Sequence, residues 1–528
     1  MDFQIEEKFS ENGTSELFLI FNNEAYIQLA KSLLDITSDE AFYDKTTKKS
    51  IEYFFQYMDE IVSRSENGNY SLVSLASRLN ETYKDKLEAY EKMSIDGNVT
   101  FDNLSKLFPI NSRFVAYTMN NQLVGSIVHN TKIEMGSFGE KNFVVTGIFT
   151  ISNGKEFVQI DKRFSIPEFR GVKKKIDLKV RPMTDEEHNT LKKRGDKFVK
   201  YCLGSHYLSY NGEMFRQSYY GPIHFNACGR IMIDSVGFKT MNPNYDRSLN
   251  NNNKQVCDPN IPEDLRFITW PFTYGFSFVS KQWGEIYVDK IDEIEFDDNA
   301  FDYLVLNEEY KEMAKALVTN VHLSFKDIIN GKSGGCIFLL HGPPGTGKTL
   351  FSESIAELLH RPLYSVTVGE LGTNSETLEK KLSVILETAN SWDAVILIDE
   401  ADIFLEKRTS NDIDRNAMVG IFLRLLERHQ GVLFLTTNRN DSIDEAFRSR
   451  ISVILEYKEL DKYSRYKIWV NLLKAAKINL NNDIIKKVAK FEINGRQIKN
   501  AIRMAQCLSL NKNEPINFEH FERVIKMM

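Results

Sequence analysis

Eight residues, Gly342-Pro343-Pro344-Gly345-Thr346-Gly347-Lys348-Thr349, constrain this chain more than any other stretch of its 528. They complete a G-x-x-x-x-G-K-[ST] pattern, stand directly after the apolar run CIFLL, and lead into an apolar-periodic segment that reads as a helix. Such a loop turns backbone N–H groups inward around phosphate oxygens, and the N-terminus of the following helix adds its dipole. Lys348 is placed to reach the β and γ phosphates, and the Thr349 hydroxyl to ligate Mg2+. The expected phosphate-binding residues are therefore Gly342, Pro343, Pro344, Gly345, Thr346, Gly347, Lys348 and Thr349, with Leu350 following them.

The text around the loop predicts a parallel sheet covered on both faces. From Phe301 onward, strand-like CIFLL, LYSVTV, AVILID and VLFLTTN alternate with helical segments, including Glu376 to Ala389 and about Ala417 to Arg428. Short apolar runs alternating with helices of this length imply βαβ units. After Asp461 the strand signal ends, and four amphipathic helical segments run to the C-terminus.

Further candidates fall at the ends of the predicted strands. AVILID delivers Asp399 and Glu400, 51 residues beyond Lys348. Strand ends of a parallel sheet face the ligand crevice, so Asp399 is expected to hold Mg2+ and Glu400 to polarise the attacking water as general base. VLFLTTN ends in Asn438, which can orient that water. SIDEAFRSRI carries Arg448 and Arg450, either of which could reach a neighbouring subunit's γ-phosphate and neutralise developing charge. NGRQIKNAIRMA places Arg496 at the start of a helix, where it could touch the nucleotide from a lid.

Upstream, residues Asn23 to about Met93 show helical spacing, with Ile51, Phe54, Phe55, Met58, Ile61 and Val62 on one face. Phe101 to Ile166 reads as antiparallel strands, Thr184 to Leu203 as a helix with an acidic first turn, and Arg230–Thr240 and Thr273–Asp289 as further strands. Asn250 to Asn253 is a low-complexity loop. The expected organisation is a helical region over 1–98, a β-rich α+β domain and connector over 99–290, an α/β subdomain over 291–460 and a helical lid over 461–528.

Composition narrows the partners. A 42% hydrophobic content suits a chain with several packed cores. A net charge of -6 argues against a whole-surface grip on nucleic acid. Five cysteines without a C-x-x-C pair suit a reducing compartment. The absence of a leader-like N-terminus and of a long apolar run predicts an intracellular, soluble chain, cytoplasmic or nuclear, with no membrane partner. Two weaker constellations remain. Cys202, His206, His224 and Cys228 have spacing that invites zinc, although buried cysteines with hydrogen-bonded histidines explain them as well. Arg170 to Lys175, with Lys179 and Arg181, is a basic stretch that could contact phosphates or protect a hairpin edge.

Taken together, GPPGTGKT, VILIDEAD, TTNR, FRSR and NGRQ resemble the AAA+ ATPase module with its helical lid. FDNLSKLFPINSRFVAY, FRGVKKKIDLKVRP and GFSFVSKQWGEIYVDKIDEIEF are further similar to the N-terminal domain and connector of largely uncharacterised fungal-type AAA ATPases. The resemblance spans about Phe101 to Met528. It implies a P-loop NTPase fold, with a parallel sheet flanked by helices plus a C-terminal all-α lid, preceded by an α+β region. It also implies ATP hydrolysis with Mg2+ at subunit interfaces of a homo-oligomeric ring, often of six. By matching position it implies Asn438 as first sensor, Arg450 as arginine finger with Arg448 beside it, and Arg496 as second sensor. The segment VGELGTNSE lacks the aromatic residue that protein-threading relatives carry there, so threading is not implied. The expected work is remodelling of a macromolecular client, protein rather than nucleic acid. The alternatives are a clamp-loader or initiator-like nucleic-acid remodeller and a nucleotide-gated scaffold with little turnover.

Overall fold

The computed structural model describes residues 3–9, 15–21, 47–50, 54, 58, 61–62, 65, 73–136, 139–245, 255–257, 260–320, 335–372, 374–405, 413–439 and 443–528. Two compact units divide the chain, Met1–Asp292 and Glu293–Met528.

The first unit is built on antiparallel sheets. Residues 1–98, expected to form a helical region with helical spacing from Asn23 to about Met93, instead open with a three-stranded sheet of Phe3–Phe9, Ser15–Phe21 and Thr47–Ser50. FQIEEKF and SELFLIF have short polar–apolar alternations closer to a period of two than of 3.6, and their full seven-residue register is antiparallel. Helical structure follows it, with Phe54, Met58 and Ile61 buried at i, i+4, i+7 and a 23-residue helix at Val73–Ile95. Ile51, Phe55 and the Asn250–Asn253 loop lie outside the described residues.

A six-stranded sheet contains Arg113–Tyr117, Leu123–Met135, Lys141–Ser152 and Phe157–Pro167 as consecutive neighbours. A seven-stranded sheet includes Ser205–Tyr210, Glu213–Ser218, Gly221–Asn226, Gly229–Asp234, Phe272–Ser277 and Gln282–Tyr287. The helix Asp185–Tyr201 begins in a capping box, Thr184 bonding Glu187 and Glu187 bonding back. The expected strand at Arg230–Thr240 is only half a strand. After Asp234 the chain turns into the helix Ser235–Met241, because the Asp234 side chain accepts the Gly237 N–H at 2.7 Å and caps it.

In the second unit the helices and strands are numbered from Glu308. Helix α1 (Glu308–Thr319) precedes strand β1 (Cys336–His341), which leads into α2 (Lys348–Leu358). Then follow β2 (Leu363–Thr367), α3 (Ser375–Ser391), β3 (Val395–Asp399), α4 (Ile413–Leu426), β4 (Val432–Thr437) and β5 (Val453–Glu456). The sheet order is β2-β3-β4-β1-β5, and every pairing is parallel. Phe338, Leu340, Phe351, Ile355, Val395, Leu397 and Phe434 form its core. Each such side chain contributes about 1.5–3 kcal/mol on burial, and that packing fixes the strand register within which the polar strand ends must meet.

Four helices complete this unit: α5 (Lys462–Ala475), α6 (Asn482–Val488), α7 (Gly495–Lys512) and α8 (Phe518–Met527). They pack around Trp469, Leu473, Ile498, Ala501 and Phe521. The fold of the unit is thus an α/β parallel sheet flanked by helices with an all-α lid. Among the described residues, no helix is long and apolar enough to cross a membrane.

Candidate nucleotide site

Parallel pairing puts the C-terminal ends of β1, β3 and β4 on one edge of the sheet, and the polar residues of interest follow those ends. From β1 the chain turns at once into the loop 342–347. Gly342 has φ +141° and a Cβ there would stand 2.0 Å from the Tyr457 carbonyl oxygen, so only glycine fits between β1 and the chain leaving β5. The N–H groups of Gly345, Thr346, Gly347 and Lys348 donate to no backbone carbonyl among the described residues, which leaves them available to an anion.

Lys348 is buried, and its ammonium donates to the carbonyls of Gly342 at 2.7 Å and Pro343 at 2.9 Å and to Asn438 Oδ1 at 2.8 Å. Its three donors are spent on neutral oxygens, weaker acceptors than phosphate. Burial lowers its pKa from the ordinary lysine value, while the carboxylates of Asp399 and Asp402 oppose that shift. The Thr349 hydroxyl donates toward both oxygens of Asp399, at 3.4 and 3.5 Å. A hydroxyl and a carboxylate converging in this way are hard oxygen ligands that suit Mg2+, which takes few protein ligands and keeps waters.

Glu400 sits beyond the end of β3 with φ +56°, in the left-handed region that is costly for a residue with a Cβ. Its N–H donates to the Thr436 hydroxyl at 2.9 Å, and that hydroxyl in turn donates to Asp399 Oδ1. Two residues beyond Glu400, Asp402 accepts from the Thr437 hydroxyl and, at 3.2 Å, from the Asn438 N–H. Thr436 and Asp402 were invisible to motif reasoning, because their roles depend on how β4 registers against β3. The doubled threonine of TTN was the one available signal.

The lid reaches the same loop. Asn494 caps α7 in a capping box with Gln497, and the Gly495 N–H donates to the Gly345 carbonyl at 2.9 Å. A Cβ on Gly345 would lie 2.7 Å from the Asn494 side chain, and Gly345 has φ +76°. Arg496, next along, is exposed, and its charge is felt at Lys348, lowering that pKa further. Leu350 is half exposed on the first turn of α2.

The two finger candidates are not equivalent. Arg450 donates to Glu427 Oε1 at 2.6 Å and to the Ala446 carbonyl at 2.7 Å, within its own subunit. Arg448 ends a one-turn helix, Glu445–Arg448, is exposed and has no ion pair among the described residues. Neither bonds to the loop, to Asp399 or to Glu400 among the described residues.

The weaker constellations do not assemble. Cys202 is buried and its thiol is pushed up to about 12 by desolvation, whereas Cys228 is exposed and its Sγ faces Asn211 and Gly212. His206 Nε2 lies 2.7 Å from the Leu203 carbonyl, and His224 is 3.7 Å from Glu213. Among the described residues no three His, Cys, Asp or Glu side chains are grouped to hold a metal ion. Of the basic stretch, Arg181 is buried against Glu187, Lys175 donates to Ser94 at 2.7 Å, and Lys173–Lys174 pair with Asn98–Val99. Side-chain bonds account for Arg181 and Lys175, while Arg170, Lys173, Lys174 and Lys179 are exposed.

Residues 338–459 match the family described as "ATPase family associated with various cellular activities (AAA)". Residues 89–187 match a domain of unknown function, DUF7025. Fidgetin-like protein 1 of Drosophila melanogaster is 30% identical over 197 residues, covering 35% of this chain and 37% of that protein. A putative 26S proteasome regulatory subunit homolog of Methanothermobacter thermautotrophicus is 30% identical over 203 residues, 36% of this chain and 54% of that protein. Human ATPase family AAA domain-containing protein 3B is 29% identical over 189 residues, 32% of this chain and 28% of that protein. The matches thus span from about a quarter to about half of these relatives' length.

Proposed function

We propose that this chain, whose residues 338–459 match the AAA family of ATPases, is an ATPase that binds Mg-ATP at the edge of the parallel sheet. We further propose that it hydrolyses the γ-phosphate there to do conformational work on a macromolecular client. The observation that carries the reading is the bonded cluster itself. Lys348 bonds the loop and Asn438, and Thr349 converges with Asp399 beside Glu400. In this reading the loop amides and Lys348 hold the phosphates, and Thr349 and Asp399 are the Mg2+ ligands. Bound there, the cation would neutralise phosphate charge. Glu400 takes the proton of the attacking water, and Asn438, released from Lys348 when phosphate takes its place, orients that water. Arg496 on the lid reads the nucleotide from the other side, and the bond from Gly495 to Gly345 supports a lid that follows the loop.

The assembly is a ring of like subunits, each receiving an arginine from its neighbour. Arg448, exposed and without an ion pair among the described residues, is the arginine offered to the neighbour, while Arg450 would have to leave Glu427 to serve. The fungal-type N-terminal unit would hold the client, a protein rather than a nucleic acid. Calorimetry with Mg-ATP and steady-state hydrolysis test the core of this. Lys348→Ala should abolish binding, and Glu400→Gln should bind ATP yet hydrolyse it at least about 100-fold more slowly. A parent protein that takes up no Mg-ATP would overturn the reading, and a Glu400→Gln rate equal to the parent's would remove the general base.

A further inference from the structure

We infer that Thr436, a β4 residue that meets neither loop nor lid among its bonds, is a positioning residue for the acidic pair, setting the orientation of Asp399 and the backbone of Glu400 at once. The inference rests on the ATPase reading above. Thr436 is 2% exposed, and its hydroxyl uses both its capacities on adjacent residues of one turn. It accepts from the Glu400 N–H at 2.9 Å and donates to Asp399 Oδ1. Its carbonyl also accepts the Ala401 N–H, at 2.8 Å. Three successive residues, 399 to 401, are therefore held by a single side chain and its backbone.

What these bonds restrain is costly to leave unrestrained. Glu400 has φ +56°, a conformation that persists in a residue with a Cβ only when its surroundings enforce it. Losing the hydroxyl leaves the Glu400 N–H without its partner and lets the turn relax toward negative φ, which swings the Glu400 carboxylate. On the other side of the same bond, a donated O–H occupies one Asp399 oxygen and so presents the carboxylate toward Thr349, 3.4 Å away. Groups that orient a ligating carboxylate are worth roughly 10–100-fold in metal affinity or activity. A threonine buried only for packing would have no such dependence on its oxygen, since valine has the same shape.

The test compares Thr436→Val and Thr436→Ser in the full chain. It measures kcat, KM for ATP and the Mg2+ concentration for half-maximal rate, with thermal melts alongside. Thr436→Val should lower kcat roughly 10- to 100-fold and raise the Mg2+ requirement several-fold, with KM for ATP within about 3-fold of the parent. Thr436→Ser, which keeps the hydroxyl, should restore most of both. Should the valine variant not fold, Thr436→Ala gives the same comparison against serine. Valine or alanine variants that turn over and use Mg2+ like the parent overturn the inference, as does a serine variant as impaired as valine. A parent that hydrolyses no ATP sinks the ATPase reading instead, so the two failures are distinguishable.

Discussion

The two units bury apolar strands by opposite rules, and the contrast explains where chemistry can gather. In the C-terminal unit β1 and β4 are buried along almost their whole length and run parallel. Their polar residues are pushed to the strand ends, and those ends lie on one edge. In the N-terminal unit neighbouring strands run antiparallel, and strands such as Leu123–Met135 shift from buried to exposed along their length. Their ends alternate between two edges, so polar strand-end side chains are divided between those edges. The hairpin joining Glu213–Ser218 to Gly221–Asn226 shows the result, with Tyr219 and Tyr220 both 96% exposed at its tip. Convergence of strand ends makes a site; alternation makes a surface.

If the units are energetically separate in this way, the largest expected effect is one confined to the N-terminal unit. Phe215 is fully buried against Phe272 at 4.9 Å and Tyr287 at 5.3 Å. Phe215→Ala should cost that unit about 3–5 kcal/mol. Urea unfolding followed through Trp270 and Trp283, with Trp392 and Trp469 replaced, reads the loss, and calorimetry with ATP should give the parental affinity. A large fall in ATP affinity would break the comparison.

Much of the candidate site is legible in the sequence, and the reason is local. The glycine spacing of 342–347 and the strand-ending acids 399 and 400 are short-range patterns, each carrying its own steric or electrostatic demand. What escaped depends on register between distant segments. Thr436 meets Glu400 across two strands, Asn494 meets Gly345 across the lid, and Glu427 takes Arg450 from 23 residues away. The same limit holds in the N-terminal unit. Cysteine and histidine spacing admits both a zinc site and buried cysteines with hydrogen-bonded histidines, and the fold decides between them: Cys202 is buried, Cys228 exposed, and no three such side chains are grouped among the described residues. The first strands were missed because the helical period of residues 51–62 was extended over a region whose own alternation is shorter.

Acid should weaken each unit through its own groups. His429, at the opposite end of β4 from Asn438, bonds the Val432 backbone, and burial lowers its pKa to about 4. Between that value and the unfolded 6.5 the unfolded chain binds the extra proton, so stability falls as pH drops through this range. The loss is about 1.4 kcal/mol per unit at its steepest and about 3 kcal/mol in all. In the N-terminal unit Glu187 is held below its ordinary value, chiefly by the Arg181 side chain. Its contribution is present above about 4.5 and is lost only below that pH. Unfolding read through Trp392 and Trp469 should therefore weaken from pH 6.5 downward, a trend His429→Gln flattens. Unfolding read through Trp270 and Trp283 should feel the Glu187 term below about 4.5 and, because desolvation lowers the His188 pKa, a His188 term from pH 6.5 downward. A His429→Gln variant whose acid profile through Trp392 and Trp469 matches the parent's would contradict the assignment.

The smallest effect sharpens the comparison most, because it uses one device in both units. Thr184 and Asn494 each head a capping box, on Asp185–Tyr201 and on α7. Replacing either by alanine should cost its own unit about 1 kcal/mol. Only Asn494 also packs against Gly345 of the phosphate loop, beside the bond from the Gly495 N–H to the Gly345 carbonyl. Asn494→Ala should therefore raise KM for ATP, roughly 3- to 10-fold, while Thr184→Ala leaves it unchanged. Steady-state hydrolysis on the two variants decides. Equal KM values would mean that the lid helix needs its cap only to be a helix, and that its contact with the loop carries no nucleotide affinity.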